Sequence, residues 1–278
     1  MTLRLTNLAD DQIPTEFTGL TPAALAGMSL AEIQRLNIRR GNRELSLGEL
    51  FQVKGDPSDQ EWLLEGNCRQ VHGLGAGMDA GMIVVDGPIG RRTGFNMHGG
   101  RIEVRGDAGD WLGAEICGGA IRVRGDAGSH VGAAMPGAKR GMAGGTILID
   151  GDAGDEVGAQ MRRGLIAVAG AVGVNLGFRM LAGTILVFGS SGPHVGMGMR
   201  RGTIGVFGTP RPTLLPTFKS GYRGPLPMLR MLEAQLANES FAPEKLSQLA
   251  TTVELFHGDL LQLGRGELLL AQAHTLSF

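Results

Sequence analysis

Apolar residues recur along most of this chain in pairs separated by one position: Ile83/Val85, Ile102/Val104, Ile121/Val123, Ile147/Ile149, Ile166/Val168, Ile185/Val187 and Ile204/Val206. Each pair stands four and two residues before a glycine, and such alternation predicts a short strand with one buried face. Gly66, Gly87, Gly106, Gly125, Gly151, Gly170, Gly189 and Gly208 head copies of one unit, and five of the seven intervals between them are 19 residues. Six residues after the glycine come Leu112, Val131, Val157, Leu176, Val195 and Leu214, with Thr93 as the polar member. Ten after it come Met97, Ile116, Met135, Met161, Met180, Met199 and Phe218. Further glycines recur at Gly94, Gly113, Gly132, Gly158, Gly177 and Gly196, and close the units at Gly100, Gly119, Gly145, Gly164, Gly183, Gly202 and Gly221. Short strands between glycine corners, repeating near twenty residues, predict an all-β chain: a right-handed parallel β-helix of about eight coils. Leucine-rich repeats would need a leucine scaffold with an asparagine ladder, and helical repeats a 3.6-residue period; neither is present. The methionine row reads as core filler, because Ile116 and Phe218 occupy it as equals.

One unit carries seven extra residues, placed between Met135 and Gly145, so Pro136 to Gly144 should bulge outward with Lys139 and Arg140 at its tip. A stack of coils has two raw ends that need covering. The coils are assigned to residues 61–221, an N-terminal cap to 1–60 and a C-terminal cap to 222–278, all in one continuous unit. In the first cap, Ser29 and Glu32 form a capping box opening a helix to about Leu36, followed by a strand-like Leu45 to Val53. In the second, Pro227 to Ala237 and Ala242 to Ala250 read as helices, and Thr252 to Leu270 as two strands about turns at Gly258 and Gly264–Gly266.

The 47 glycines among 278 residues form no Gly-X-Y triplets, which excludes collagen and leaves them as corner residues. A net charge of −1 gives no basic footprint for nucleic acid. The sequence has no apolar run near ~20 residues and no signal-like N-terminus, so no membrane segment and a cytoplasmic location are expected. Cys68 and Cys117 fall in different columns two units apart, roughly 10 Å at ~4.8 Å per unit, too far for a disulfide.

Candidate chemistry is sparse. Asp107, Asp126 and Asp152 share a column, as do Asp110 and Asp155, but these columns lapse at Ala171, Val174 and Ser190 and lack the nine-residue calcium period, so they read as turn formers. His130 and His194 share an outward column three units apart, about 14 Å, which no single metal spans. His72, His98, His257 and His274 stand in other settings and read as surface or hydrogen-bonding residues. There is no Gly-x-Ser-x-Gly elbow, and Gly196 to Gly202 lacks the Lys-Ser/Thr of a phosphate loop. No catalytic residue and no metal ligand is assigned. Arg162, Arg200 and Lys219 share one outward column, with Arg163 and Arg201 beside it, and the chain holds 22 arginines against 4 lysines. Two readings stand: a solvated edge of an arginine-rich chain, or a contact edge for a polyanion or acidic face.

The whole chain resembles the C subunit of the formylmethanofuran dehydrogenase family, and among its members the methylotroph formyltransferase/hydrolase version. The glycine and methionine columns are shared with the C-terminal β-helix domain of glutamate synthase, which leaves a glutamate-synthase-like domain as an alternative. The flanks Leu47-Gly-Glu-Leu-Phe-Gln-Val-Lys-Gly55 and His257-Gly-Asp-Leu-Leu-Gln-Leu-Gly-Arg-Gly-Glu-Leu-Leu-Leu270 are similar to the ends of the free-standing subunit. The resemblance implies a scaffold without catalytic residues in methylofuran- and tetrahydromethanopterin-dependent one-carbon metabolism. It implies as partners a zinc-amidohydrolase-like subunit hydrolysing formyl-methylofuran to formate, and a formyltransferase subunit. The dehydrogenase version works instead with a tungsten or molybdenum subunit and iron–sulfur clusters. Methanofuran-type coenzymes carry glutamyl tails, so the resemblance makes the tail of a methylofuran-type coenzyme the candidate ligand of Arg162, Arg163, Arg200, Arg201 and Lys219.

Overall fold

The structure is a computed structural model that describes residues 2–271; His274 lies outside the described residues. The apolar pairs do form strands, and they stack in register. Strands Glu61–Glu65, Met82–Asp86, Arg101–Val104, Ala120–Val123, Thr146–Ile149, Leu165–Val168, Thr184–Val187 and Arg201–Val206 lie side by side and parallel. Ile83, Ile102, Ile121, Ile147, Ile166, Ile185 and Ile204 face one another along one row, each at most 1 % exposed. A second ladder of single parallel bridges runs from Cys68 through Ile89, Ala108, Ala127, Ala153 and Val172 to Ser191. The fold is mostly β, with thirteen strands of one sheet and four of a second among the described residues.

The chain ends complete the rows. Leu3–Asn7 pairs parallel to Glu61–Glu65, setting Leu3 against Trp62 and Leu5 against Leu64. At the far end Arg265–Ala271 pairs parallel to Arg201–Val206, setting Leu268 against Ile204 and Leu270 against Val206. The last glycine-headed unit therefore does not supply the next rung, because Tyr222-Arg-Gly-Pro225 offers no apolar pair to bury. Lys219–Gly224 lies instead at the sheet edge, antiparallel to Val253–Gly258, which in turn pairs with Arg265–Ala271. Lys219 and Gly221 are thus separated from Arg201–Val206 by two intervening strands, and they leave the columns in which the repeat sets them.

The methionine row departs from the count at one place. Met135 is only partly buried, whereas Met142 is fully buried. The Met142 N–H donates to the Gly132 carbonyl at 2.8 Å, as that of Met161 does to Gly158 at 3.0 Å. The seven-residue surplus therefore lies before Met142, and Lys139 and Arg140 are exposed as expected. The packed stack selects whichever methionine lets the next strand keep register, and that choice is not visible in a count from the preceding glycine. Thr93, buried, donates its hydroxyl to the Gly90 carbonyl at 3.3 Å and so fits the apolar column.

In the flanks, the Ser29/Glu32 capping box opens a helix at Leu30–Gln34. Leu45 to Val53 is not one strand: Ser46 and Glu49 make a second capping box, and Leu47–Leu50 is a helical turn between strands Arg43–Ser46 and Phe51–Lys54. The helix Pro227–Asn238 forms as expected, while Ala242 to Ala250 contracts to a 3₁₀ turn at Leu246–Ala250. These segments lie over the outer face of the large sheet and close a second core, with Leu229, Leu236, Phe241 and Leu249 against Leu148, Ala167, Leu186, Phe188 and Phe207. The outward residues of those strands are apolar where their counterparts Glu103 and Arg122 are charged, which marks where the cover begins.

Candidate functional site

The acidic columns are held in backbone bonding between units. The Asp107, Asp126 and Asp152 Oδ1 atoms accept the N–H groups of Asp126, Asp152 and Ala171 at 3.2, 2.8 and 2.6 Å. Asp110 and Asp155 accept from Ser129 and Val174 at 3.0 and 2.8 Å. This is the turn-forming use of aspartate, extended into a ladder across units. Among the described residues no three His, Cys, Asp or Glu side chains come together as a metal site would need. His130 stacks on Trp111 with ring centroids 4.1 Å apart, and its Nε2 lies 3.7 Å from Glu156. Cys68 is buried and Cys117 exposed, both free, and burial pushes the Cys68 thiol up to about 12, so it stays protonated and inert.

The arginine edge is built by the turn after each inward methionine. The N–H of Arg162 donates to the Met142 carbonyl, that of Leu181 to Met161 and that of Arg200 to Met180. Arg162 and Arg200 thus stand in one column with Leu181 between them, and Arg163 and Arg201 follow each in sequence. All four arginines are exposed. Lys219, also exposed, faces His257 across its antiparallel pair and does not extend the column. The adjoining column of Arg163 and Arg201 is continued by Arg265, the register partner of Arg201. Leu181, Arg200, Arg201, Leu261, Gln262, Leu263 and Arg265 line a groove of about 450 Å³. By sequence Arg265 belongs only to a turn, since nothing local reveals that a strand so distant in the chain closes the stack.

Charge pairing separates this edge from the earlier units. Arg4, Arg69, Arg91, Arg92, Arg101, Arg105, Arg122 and Arg124 all sit within 4.0 Å of a carboxylate. Arg162, Arg163, Arg200, Arg201 and Arg265 make no ion pair among the described residues. These five guanidinium groups, with the exposed Arg179 of the unit between them, stand along the final units without an ion pair among the described residues. A second groove, of about 560 Å³, is lined by Leu63, Met82 and Val84 together with Arg4, Lys54 and Arg105.

The C subunit of the formyltransferase/hydrolase complex Fhc from Methylorubrum extorquens is 53 % identical over 96 % of this chain and 98 % of its own length. The chain belongs to the C-subunit family of these complexes. The C subunit of the molybdenum-containing formylmethanofuran dehydrogenase 1 of Methanothermobacter thermautotrophicus is 40 % identical over 87 residues, 31 % of this chain and 22 % of that protein. Its counterpart in the tungsten-containing dehydrogenase 2 from the same organism is 36 % identical over 32 % of this chain and 35 % of its own length. The chain thus matches about a fifth to a third of the archaeal subunits' length. A chain of the crystal structure of the Methylorubrum extorquens complex FhcABCD with methylofuran superposes with a TM-score of 0.90 and 37 % identity, covering 97 % of this chain and all of that one. No protein-family model matches. Among the described residues no helix is long and apolar enough to cross a membrane.

Proposed function

We propose that this chain is a structural subunit of a cytoplasmic formyltransferase/hydrolase complex, without catalytic groups of its own, serving methylofuran- and tetrahydromethanopterin-dependent oxidation of formaldehyde to formate. Its partners in this reading are a zinc-amidohydrolase-like hydrolase subunit and a formyltransferase subunit. The observation that carries the reading is likeness to a named C subunit along almost the entire length of both chains. The aspartate ladders are in keeping with it, because their Oδ1 atoms are engaged by backbone N–H groups of the next unit and so serve the stacking of the turns. We infer too that the stack winds as a right-handed parallel β-helix of about eight coils with caps at 1–60 and 222–278, since parallel crossovers are right-handed in almost all known cases.

A second reading concerns the arginine edge. Five unpaired guanidinium groups favour Arg162, Arg163, Arg200 and Arg201, joined by Arg265, as holders of an acidic coenzyme tail; Lys219, beyond two further strands, is set apart from them. One purification tests both readings. Native isolation of this chain should bring the other subunits with it, and recovery as a lone, stable monomer would count decisively against a scaffold role. In the same preparation, Arg162→Ala with Arg163→Ala, both exposed and outside the groove that Arg200, Arg201 and Arg265 line, should lower the methylofuran retained while leaving assembly intact; unchanged retention would sink the tail reading.

A further inference from the structure

We propose that Leu260–Leu263 is a preformed finger that docks into an apolar, carboxylate-rimmed pocket on another protein subunit of the complex. Leu260, Leu261 and Leu263 are 52, 78 and 78 % exposed, three leucines of one short loop turned to water. Scattered exposed leucines are ordinary, but a contiguous group at the end of a stack of repeats is a contact surface.

The loop is held rather than loose. Asp259, 3 % exposed, accepts the N–H of Leu261 at 3.0 Å through one carboxylate oxygen and the N–H of Gly198 at 3.0 Å through the other. The Gly264 N–H returns to the Asp259 carbonyl at 3.0 Å, and that of Leu260 donates to the Thr217 carbonyl at 3.0 Å. Leu263 sits at φ 76°, a left-handed conformation that a leucine adopts only where its surroundings impose it. Apolar side chains presented by a backbone fixed in advance lose less freedom on binding than those of a loose loop, which is the condition for a small group of residues to dominate an interface.

The rim gives the partner its sign. Arg200, Arg201 and Arg265 line the groove beside Leu261 and Leu263, and none has a carboxylate within this chain among the described residues. Leucines ringed by unpaired arginines fit a partner with an apolar pocket and acidic margins. A second copy of this chain fits poorly, since a two-fold contact through the finger would set the same arginines against each other. An acidic ligand tail would use the arginines and leave the leucines wet.

The inference rests on the assembly role proposed above. The test co-expresses this chain with the A, B and D subunits of an FhcABCD-type complex, an affinity tag on one of those. Leu261→Ser with Leu263→Ser, at exposed positions, should leave the melting temperature of the chain unchanged and weaken its association with the tagged complex at least about tenfold. Arg265→Glu should weaken it likewise, whereas Arg265→Lys should restore most of it. Assembly of the double leucine variant at wild-type affinity overturns the finger while the assembly role stands; failure of the wild-type chain to co-purify removes both. A leucine variant that assembles normally but loses self-association, or loses only binding of a synthetic oligoglutamate, would also overturn it.

Discussion

His72 is partly buried, and its Nδ1 accepts the N–H of Arg91 at 3.0 Å, a bond that only the unprotonated nitrogen can make. Burial pushes its pKa below the ordinary imidazole value; the Glu16 carboxylate opposes that shift, and Arg91 and Arg92 reinforce it. With the folded value depressed, the unfolded chain binds more protons just below about pH 6.5, so stability falls as pH drops through that window. Denaturant midpoints measured from about pH 7.5 to about pH 5 should decline for the wild type. The decline should be shallower for His72→Asn, whose amide oxygen can still accept the Arg91 bond; equal slopes would show that His72 is protonated as readily folded as unfolded. The carboxylates of Glu32 and Glu49, lowered by bonds to Ser29 and Ser46, respond only in the carboxylate range, where protonation weakens their capping boxes.

Strands and turns here owe their glycines to two different physical demands. At Gly177 the backbone is left-handed, φ +65°, and an added Cβ would lie 2.4 Å from the Ile204 Cδ1. Gly189 has no positive φ; a Cβ there would lie 2.4 Å from the Gly170 carbonyl carbon and oxygen, in the preceding unit. The heading column is thus a point where successive backbones touch, a demand that the reading of these glycines as corners does not contain. Gly189→Ala should cost about 1–3 kcal/mol by overpacking, whereas Gly27→Ala, with nothing within 4 Å of the added carbon, should stay within about 0.5 kcal/mol. Equal urea midpoints for the two variants would refute close approach as the reason for the column. Both columns are legible because a stacked repeat writes each spatial row at a fixed spacing in the chain. Legibility ends where the partner of a segment lies far away: Met142 replaces Met135 because an insertion breaks the count, and Leu268 and Leu270 cap the rows from a distant strand. Arg265 enters the arginine edge, and Lys219 leaves it, for that same reason. The Leu47–Leu50 turn is a different kind of miss, since Ser46 and Glu49 announce it locally and the apolar alternation obscures it.

At the scale of the whole molecule, one arginine joins the repeat stack to the C-terminal segments. Arg122 points outward from its strand and yet is only 3 % exposed, because residues 239–241 close over it. Its guanidinium bonds Asp150 at 2.7 and 2.8 Å, donates to the carbonyls of Glu239 and Ser240 at 3.0 and 3.2 Å, and lies 5.1 Å from the centre of the Phe241 ring. Arg101 adds a 2.7 Å pair to Glu239 beside it. Two backbone carbonyls thus depend on one cation, and removing it leaves them unpaired at the edge of the second core, with Asp150 keeping only the longer Arg124 contact. Arg122→Ala should cost about 3–5 kcal/mol, at the lower end because Arg124 still reaches Asp150 at 3.3 Å. The loss should be local before it is global. Limited proteolysis of the folded variant should cut within residues 225–250 well before the repeats, while Gly189→Ala, which strains the stack itself, should not produce that pattern. Adding Asp150→Asn to Arg122→Ala should recover part of the stability by removing a carboxylate that has lost its buried partner. An Arg122→Ala protein that melts like the wild type and keeps its protease resistance would mean that the apolar contacts of Leu229, Leu236 and Phe241 hold the cover by themselves.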